Sequence, residues 1–146
     1  MTSAQPPTSE AKAPKKEFSK RELKKQLTKE QYRVTQKGGT ERPFANEYHD
    51  SKEIGTYECV VCQEPLFSSQ TKYDSGTGWP SFFAPIDESS IRNKADRKLL
   101  VPRIENSCSN CGAHLGHVFR TDDTPTNARY CINSASLNFV PDEDDD

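Results

Sequence analysis

Apolar positions in this chain are sparse and fall into two textures. Leu23 and Leu27 lie at helical spacing behind Ser19-Lys20-Arg21-Glu22, and Tyr32 follows Thr28-Lys29-Glu30-Gln31. Each tetrad fits a capping box, in which an N-cap hydroxyl and a Glu or Gln three residues on satisfy each other's backbone N–H. The pattern predicts two short helices ending near Gly38-Gly39. From Tyr57 onward the apolar stretches are short and broken by Gly, Pro, Ser, Asn and Asp. They predict strands over Tyr57–Val61, Pro65–Phe67, Phe82–Ile86, Leu99–Ile104, His114–Phe119 and Arg129–Phe139. No internal repeat and no strand–helix alternation appears. The spacing therefore points to an antiparallel sheet or small barrel rather than a parallel doubly wound fold.

Composition narrows the class. The 146 residues are 32% hydrophobic and 29% charged, so a modest core with polar tails is expected. The longest apolar run, Cys59-Val60-Val61-Cys62, has four residues, against roughly 20 for a membrane-spanning helix and about 7–15 for a signal peptide. The expected setting is the cytosol or nucleus, where thiols stay reduced, with no membrane association. A formal net charge of −2 gives no reason to expect nucleic-acid binding. Residues 1–17 hold Pro6, Pro7, Pro14 and small polar residues and read as a disordered tail. The chain ends in Asp142-Glu143-Asp144-Asp145-Asp146. Basic residues crowd positions 12–37. Both charged ends read as solvated, or as interaction arms.

Four of the five cysteines form two Cys-x-x-Cys pairs, Cys59/Cys62 and Cys108/Cys111, separated by residues 63–107. Two intervening residues let both thiolates grip one ion from a single turn, and four thiolates close a tetrahedral shell of the kind structural zinc prefers. The long gap means that the ion clips two distant turns together. Two independent redox pairs, or unrelated buried cysteines, are the alternatives; neither pair has the strand–helix setting of a thioredoxin-like motif.

Cys131 stands outside that arithmetic. On a strand, alternation puts Arg129, Cys131 and Asn133 on one face. A neighbouring guanidinium favours the thiolate form of a cysteine; the other reading is a small buried hydrophobe. His114-Leu115-Gly116-His117 holds two of the three histidines. On a regular strand the two would face apart, but Gly116 permits a bulge that re-aims one of them toward a shared pocket. The alternative is a turn cap and a surface histidine. The single tryptophan, Trp79, lies in Ser75-Gly76-Thr77-Gly78-Trp79-Pro80-Ser81-Phe82. A constrained turn there leaves the ring to wall a pocket for an apolar or sulfur-bearing group, or places it in the core.

Taken together these segments resemble the B class of methionine-R-sulfoxide reductases. The match runs through Tyr57 to Cys62, Pro65-Leu66-Phe67, Lys72 to Gly76, Gly78 to Phe82, the second Cys-x-x-Cys with Ala113 to Phe119, and Arg129 to Leu137, with Leu27 to Phe44 upstream. The resemblance implies a mainly β fold: a small zinc-bound antiparallel β-sheet or barrel of the β-tent type with short N-terminal helices. With the two tails read from composition, the expected organisation is a disordered tail over 1–17, a reductase domain over 18–140 and an acidic tail over 141–146. The resemblance also implies one structural zinc on Cys59, Cys62, Cys108 and Cys111, and no organic cofactor. Cys131 is the implied nucleophile, passing through a sulfenic acid; His117 or His114 handles the sulfoxide oxygen, Arg129 and Asn133 surround the reacting centre, and Trp79 and Phe119 contact substrate. The implied partners are methionine-R-sulfoxide, free or within oxidised proteins, and thioredoxin or another external thiol, acting on a monomer. Methionine oxidation to the sulfoxide is reversible, with one enzyme per sulfoxide epimer. Two positions depart from the family pattern. Thr77 stands where many members carry a resolving cysteine, so regeneration is expected to be direct. Thr121 stands where many carry an acidic residue, with Asp122 one step on. The competing class is a non-catalytic zinc module, which has no use for Cys131 beside Arg129 and two histidines.

Overall fold

A computed structural model of the chain describes residues 18–96 and 103–142. The expected disordered tail at 1–17, most of the acidic end and residues 99–102 of one expected strand lie outside the described residues. Both capping boxes form: Ser19 caps α1 (Lys20–Gln26) with Glu22 reciprocating, and Thr28 caps α2 (Lys29–Lys37) with Gln31 reciprocating. Gly38 ends α2 in the left-handed region, at φ 69°, a conformation glycine adopts without a Cβ penalty.

Nine described strands follow, all paired antiparallel: β1 (Gly55–Cys59), β2 (Pro65–Ser68), β3 (Lys72–Tyr73), β4 (Ser81–Phe82), β5 (Ile91–Asp96), β6 (Arg103–Cys108), β7 (His114–Arg120), β8 (Ala128–Ile132) and β9 (Leu137–Pro141). They make a three-stranded sheet, β2-β1-β9, and a six-stranded sheet, β3-β4-β8-β7-β6-β5. A mainly β, antiparallel fold with two short helices is what the sequence predicts. Aromatic rings join the sheets. Phe67 stacks on Phe82 at 4.4 Å and Tyr57 meets Phe82 edge-on at 5.2 Å, while within the small sheet Tyr57 packs on Phe139 at 4.8 Å. Leu23 and Leu27 bury the helical stripe against the same cluster.

Several strand limits differ from expectation. The run Arg129–Phe139 is two strands, not one. A 3-10 turn at Ser134–Ser136 breaks it, and the chain crosses from the large sheet to the small one between Ile132 and Leu137. Phe82–Ile86 shrinks to Ser81–Phe82, because Ala84-Pro85 turns the chain away and the Ile86 N–H goes to Leu66 O instead. β6 runs on to Cys108 through polar Glu105-Asn106-Ser107, and the apolar pattern does not predict β5. Both are polar on most positions, and ladder hydrogen bonds rather than apolar alternation hold them there.

Candidate active site

The two Cys-x-x-Cys segments fold as the same turn. Cys59 ends β1 and Cys108 ends β6. In each, the residue after the second cysteine adopts a positive φ, 66° at Gln63 and 84° at Gly112, and donates its N–H to the first cysteine's carbonyl. The turns face one another. Cys59 and Cys111 sulfurs lie 3.6 Å apart, as do those of Cys62 and Cys108, and all four lie within 4.8 Å of one another. A tetrahedron with Zn–S bonds of about 2.3 Å has edges of about 3.8 Å, so the spacing fits one zinc ion with no open position. Hydrogen bonding to the Cys108 sulfur, with burial, pushes the Cys59 and Cys111 thiols up; a cation is what makes four thiolates tenable in this space. Gln26 of α1 donates to Val61 O at 2.9 Å, tying the helix to the first turn.

The second constellation lies across the large sheet. Register aligns Tyr73, Ser81, Cys131, His117, Glu105 and Lys94 in one row over six strands. Cys131 and His117 are direct cross-strand partners, so their side chains share a face. Arg129, two residues before Cys131 on β8, donates from Nε to Cys131 Sγ at 3.4 Å. Its guanidinium lies 4.9 Å over the Phe119 ring, a cation–π contact that holds it in place. Ser81 Oγ and Thr77 Oγ1 stand 3.8 and 3.9 Å from the same sulfur, joined to each other through Ser75 Oγ at 2.7 and 2.8 Å. Burial pushes the neighbouring Tyr73 phenol up. Cys131 itself is half-buried. A cationic donor, a ring of hydroxyls and a buried imidazole thus converge on one accessible thiol.

The histidine pair comes together through a bulge. In the β6–β7 ladder Asn106 pairs with Gly116 and Ser107 with His114, leaving Leu115 as the extra residue. That slip puts His114 and His117 on one face, with ring centroids 5.5 Å apart. The bulge expected at Gly116 therefore falls one residue earlier. Gly116 serves another end: a Cβ there would sit 2.0 Å from Cys131 O, so its lack of a side chain lets β7 and β8 close beside Cys131. His114 Nδ1 meets Glu105 Oε2 at 2.6 Å.

A SelR domain model matches residues 27–141. The chain belongs to the SelR domain family. It is 58% identical over 121 residues to a peptide methionine sulfoxide reductase MsrB of Hahella chejuensis (strain KCTC 2396), covering 83% of this chain and 87% of that protein. It is 52% identical over 128 residues to the protein of that name in Methanosarcina barkeri (strain Fusaro / DSM 804), covering 88% and 90%. It is 54% identical over 124 residues to methionine-R-sulfoxide reductase B3, mitochondrial, of Mus musculus, covering 85% of this chain and 49% of the mouse protein.

Within the SelR domain the remaining sequence-derived residues take these places. Trp79 is half-buried rather than in the core, and its Nε1 donates to Glu41 O at 3.0 Å. Asn133 lies just past β8. It is buried, accepts the Glu41 N–H at 3.0 Å and donates to Leu115 O at 2.9 Å. It therefore braces the backbone beside Cys131, its amide spent on main-chain partners. Thr121 closes the β7–β8 connection by donating its N–H to Asn127 O at 3.1 Å, and Asp122 is exposed. Sequence reasoning missed Glu105, Ser81, Tyr73 and Glu41. Only register exposes Glu105: it precedes Cys108 by three residues in a strand too polar to announce itself.

Proposed function

We propose that this chain is a peptide-methionine (R)-S-oxide reductase acting through Cys131. The single observation that carries the reading is the placement of the Cys131 sulfur 3.4 Å from Arg129 Nε, with buried His117 directly across the ladder. The guanidinium donates to the sulfur, whose thiolate is the nucleophilic form. That thiolate attacks the sulfoxide sulfur. His117, with His114 held by Glu105 behind it, supplies a proton to the sulfoxide oxygen, which otherwise leaves poorly. The attack forms an S–S bond between Cys131 and the substrate, and the oxygen, taking a second proton from solvent, leaves as water. Water then attacks Cys131 Sγ and breaks the S–S bond, so that the substrate sulfur, two electrons richer, departs as the thioether and Cys131, two electrons poorer, is left as a sulfenic acid with a proton released. An external thiol such as thioredoxin then attacks the sulfenic sulfur, releasing water and forming a mixed disulfide. A second thiol cleaves that bond and restores Cys131.

Trp79 and the Phe119–Arg129 pair wall the pocket, and Asn133 fixes the backbone beside the nucleophile. A sulfoxide sulfur is pyramidal. With oxygen toward the histidines and methyl toward Trp79, only one epimer presents its sulfur to Cys131. The zinc on Cys59, Cys62, Cys108 and Cys111 cross-links two turns and takes no part in the chemistry. The chain acts as a monomer on oxidised proteins or free methionine sulfoxide, in a reducing compartment such as the cytosol or nucleus. The test is turnover of peptide-embedded R- and S-sulfoxide with dithiothreitol. Reduction of the R epimer alone, abolished in Cys131→Ser, supports the reading; equal rates on both epimers, or activity surviving in Cys131→Ser, sinks it.

A further inference from the structure

The segment from Gly38 to Ile54 contains no helix or strand, yet one of its residues, Glu41, is buried, at 5% exposure. Every polar group of Glu41 is engaged. Its N–H donates to Asn133 Oδ1 at 3.0 Å. One carboxylate oxygen accepts the Ala135 N–H at 2.9 Å and the other accepts the Ser134 N–H. Its carbonyl accepts the Trp79 indole N–H at 3.0 Å. Three of these bonds reach residues 133–135, just after Cys131, and the fourth reaches the Trp79 indole. Burial pushes the carboxyl up and the two backbone donors oppose it. The loop makes a second attachment at the same place, where Phe44 N and Asn46 Nδ2 both donate to Gly78 O, at 2.7 and 2.9 Å.

We propose that Glu41 is a positioning residue of the reaction: it clamps Trp79 to the turn that follows Cys131, so that pocket wall and nucleophile are held in one frame. This rests on the sulfoxide-reductase reading above. A buried carboxylate is costly unless its oxygens are used, and here both are used on adjacent backbone donors of a turn. Hydrogen bonds of this kind are worth more than neutral ones. An Asp would not span the same distance with its backbone fixed, and an Ala would leave the Ser134 and Ala135 N–H groups without acceptors.

Trp79 is the sole tryptophan, so its emission reports the clamp directly. Glu41→Ala and Glu41→Gln are compared with the parent in the zinc-loaded full chain, on an acetylated peptide bearing methionine-R-sulfoxide. Glu41→Ala is expected to lower kcat/KM by on the order of tenfold, mostly through KM, as a displaced positioning group does, and to shift Trp79 emission to the red. Glu41→Gln, which keeps one acceptor, recovers part of both. In a Trp79→Ala background, Glu41→Ala is expected to add little, because the two act as a unit. Additive losses, or parental kcat/KM and emission in folded Glu41→Gln and Glu41→Ala, overturn the proposal. If Glu41→Ala does not fold, the Gln variant and its double with Trp79→Ala decide on the same criteria. A parent inert on the R-sulfoxide, with the red shift intact in Glu41→Ala, overturns the functional reading and leaves the clamp standing.

Discussion

Glu105 faces His117 across the β6–β7 ladder, yet its carboxylate is 2.6 Å from His114, two ladder positions along. The bulge at Leu115 is what makes that diagonal short. An anionic partner on Nδ1 fixes which imidazole nitrogen carries the proton. Glu105→Gln keeps the size but removes the charge. It is expected to lower kcat by about tenfold or more, within the range of general acid–base effects, with zinc content unchanged. Steady-state kinetics with metal analysis checks this; a parental kcat denies Glu105 any role.

Thr77 Oγ1 stands 3.9 Å from Cys131 Sγ, and the other four cysteines sit together in the metal cluster. One turnover without reductant is therefore expected to consume one thiol and leave a sulfenic acid on Cys131, trapped by dimedone and seen by mass spectrometry. Thr77→Cys is expected to bridge to Cys131 under the same conditions. A bridge between Cys131 and a cluster cysteine in the parent, formed at the rate of turnover, refutes the scheme.

Gly116→Ala places a Cβ 2.0 Å from Cys131 O and 2.9 Å from Ile132 Cα. The clash is with backbone, so no rotamer relieves it. The variant is expected to lose about 1–3 kcal/mol of stability, and most activity, because β8 must move away from β7. Denaturant unfolding and turnover together test this; full activity at lowered stability means the strands need not close tightly for chemistry.

Cys108→Ser removes one thiolate from a shell with no spare ligand. Zinc content and melting temperature are expected to fall together, by about 10 °C or more if as little as 3 kcal/mol is lost. A variant that keeps its zinc and its melting temperature rules out the four-cysteine site.

The helices were legible because capping is local: Ser19 with Glu22 and Thr28 with Gln31 state their ends within four residues. The metal cluster was legible because Cys-x-x-Cys fixes its own geometry. Arg129 and Cys131 were legible because alternation on one strand needs no partner. What sequence could not show is register. Glu105 becomes a neighbour of His114 only after Leu115 is squeezed out of the ladder. Glu41 becomes central only when a loop without regular structure is folded over residues more than 90 positions away. The break at Ser134 is equally silent, because Ser134-Ala135-Ser136 reads as polar alternation in a longer strand.

The threonine beside Cys131 has a consequence for how long the catalyst lasts. On the proposed mechanism, with no thiol of its own to cap the oxidised sulfur, the protein leaves Cys131 open between turnovers until an outside thiol arrives. A second encounter with peroxide in that interval carries the sulfur to the sulfinic level, from which ordinary thiols do not return it. The working lifetime of each molecule is then set by the local ratio of reductant to peroxide, and not by the firmness of the fold around it. Under sustained oxidant the repair capacity of this protein runs down one molecule at a time, like a fuse that needs a steady supply of thiol to stay intact.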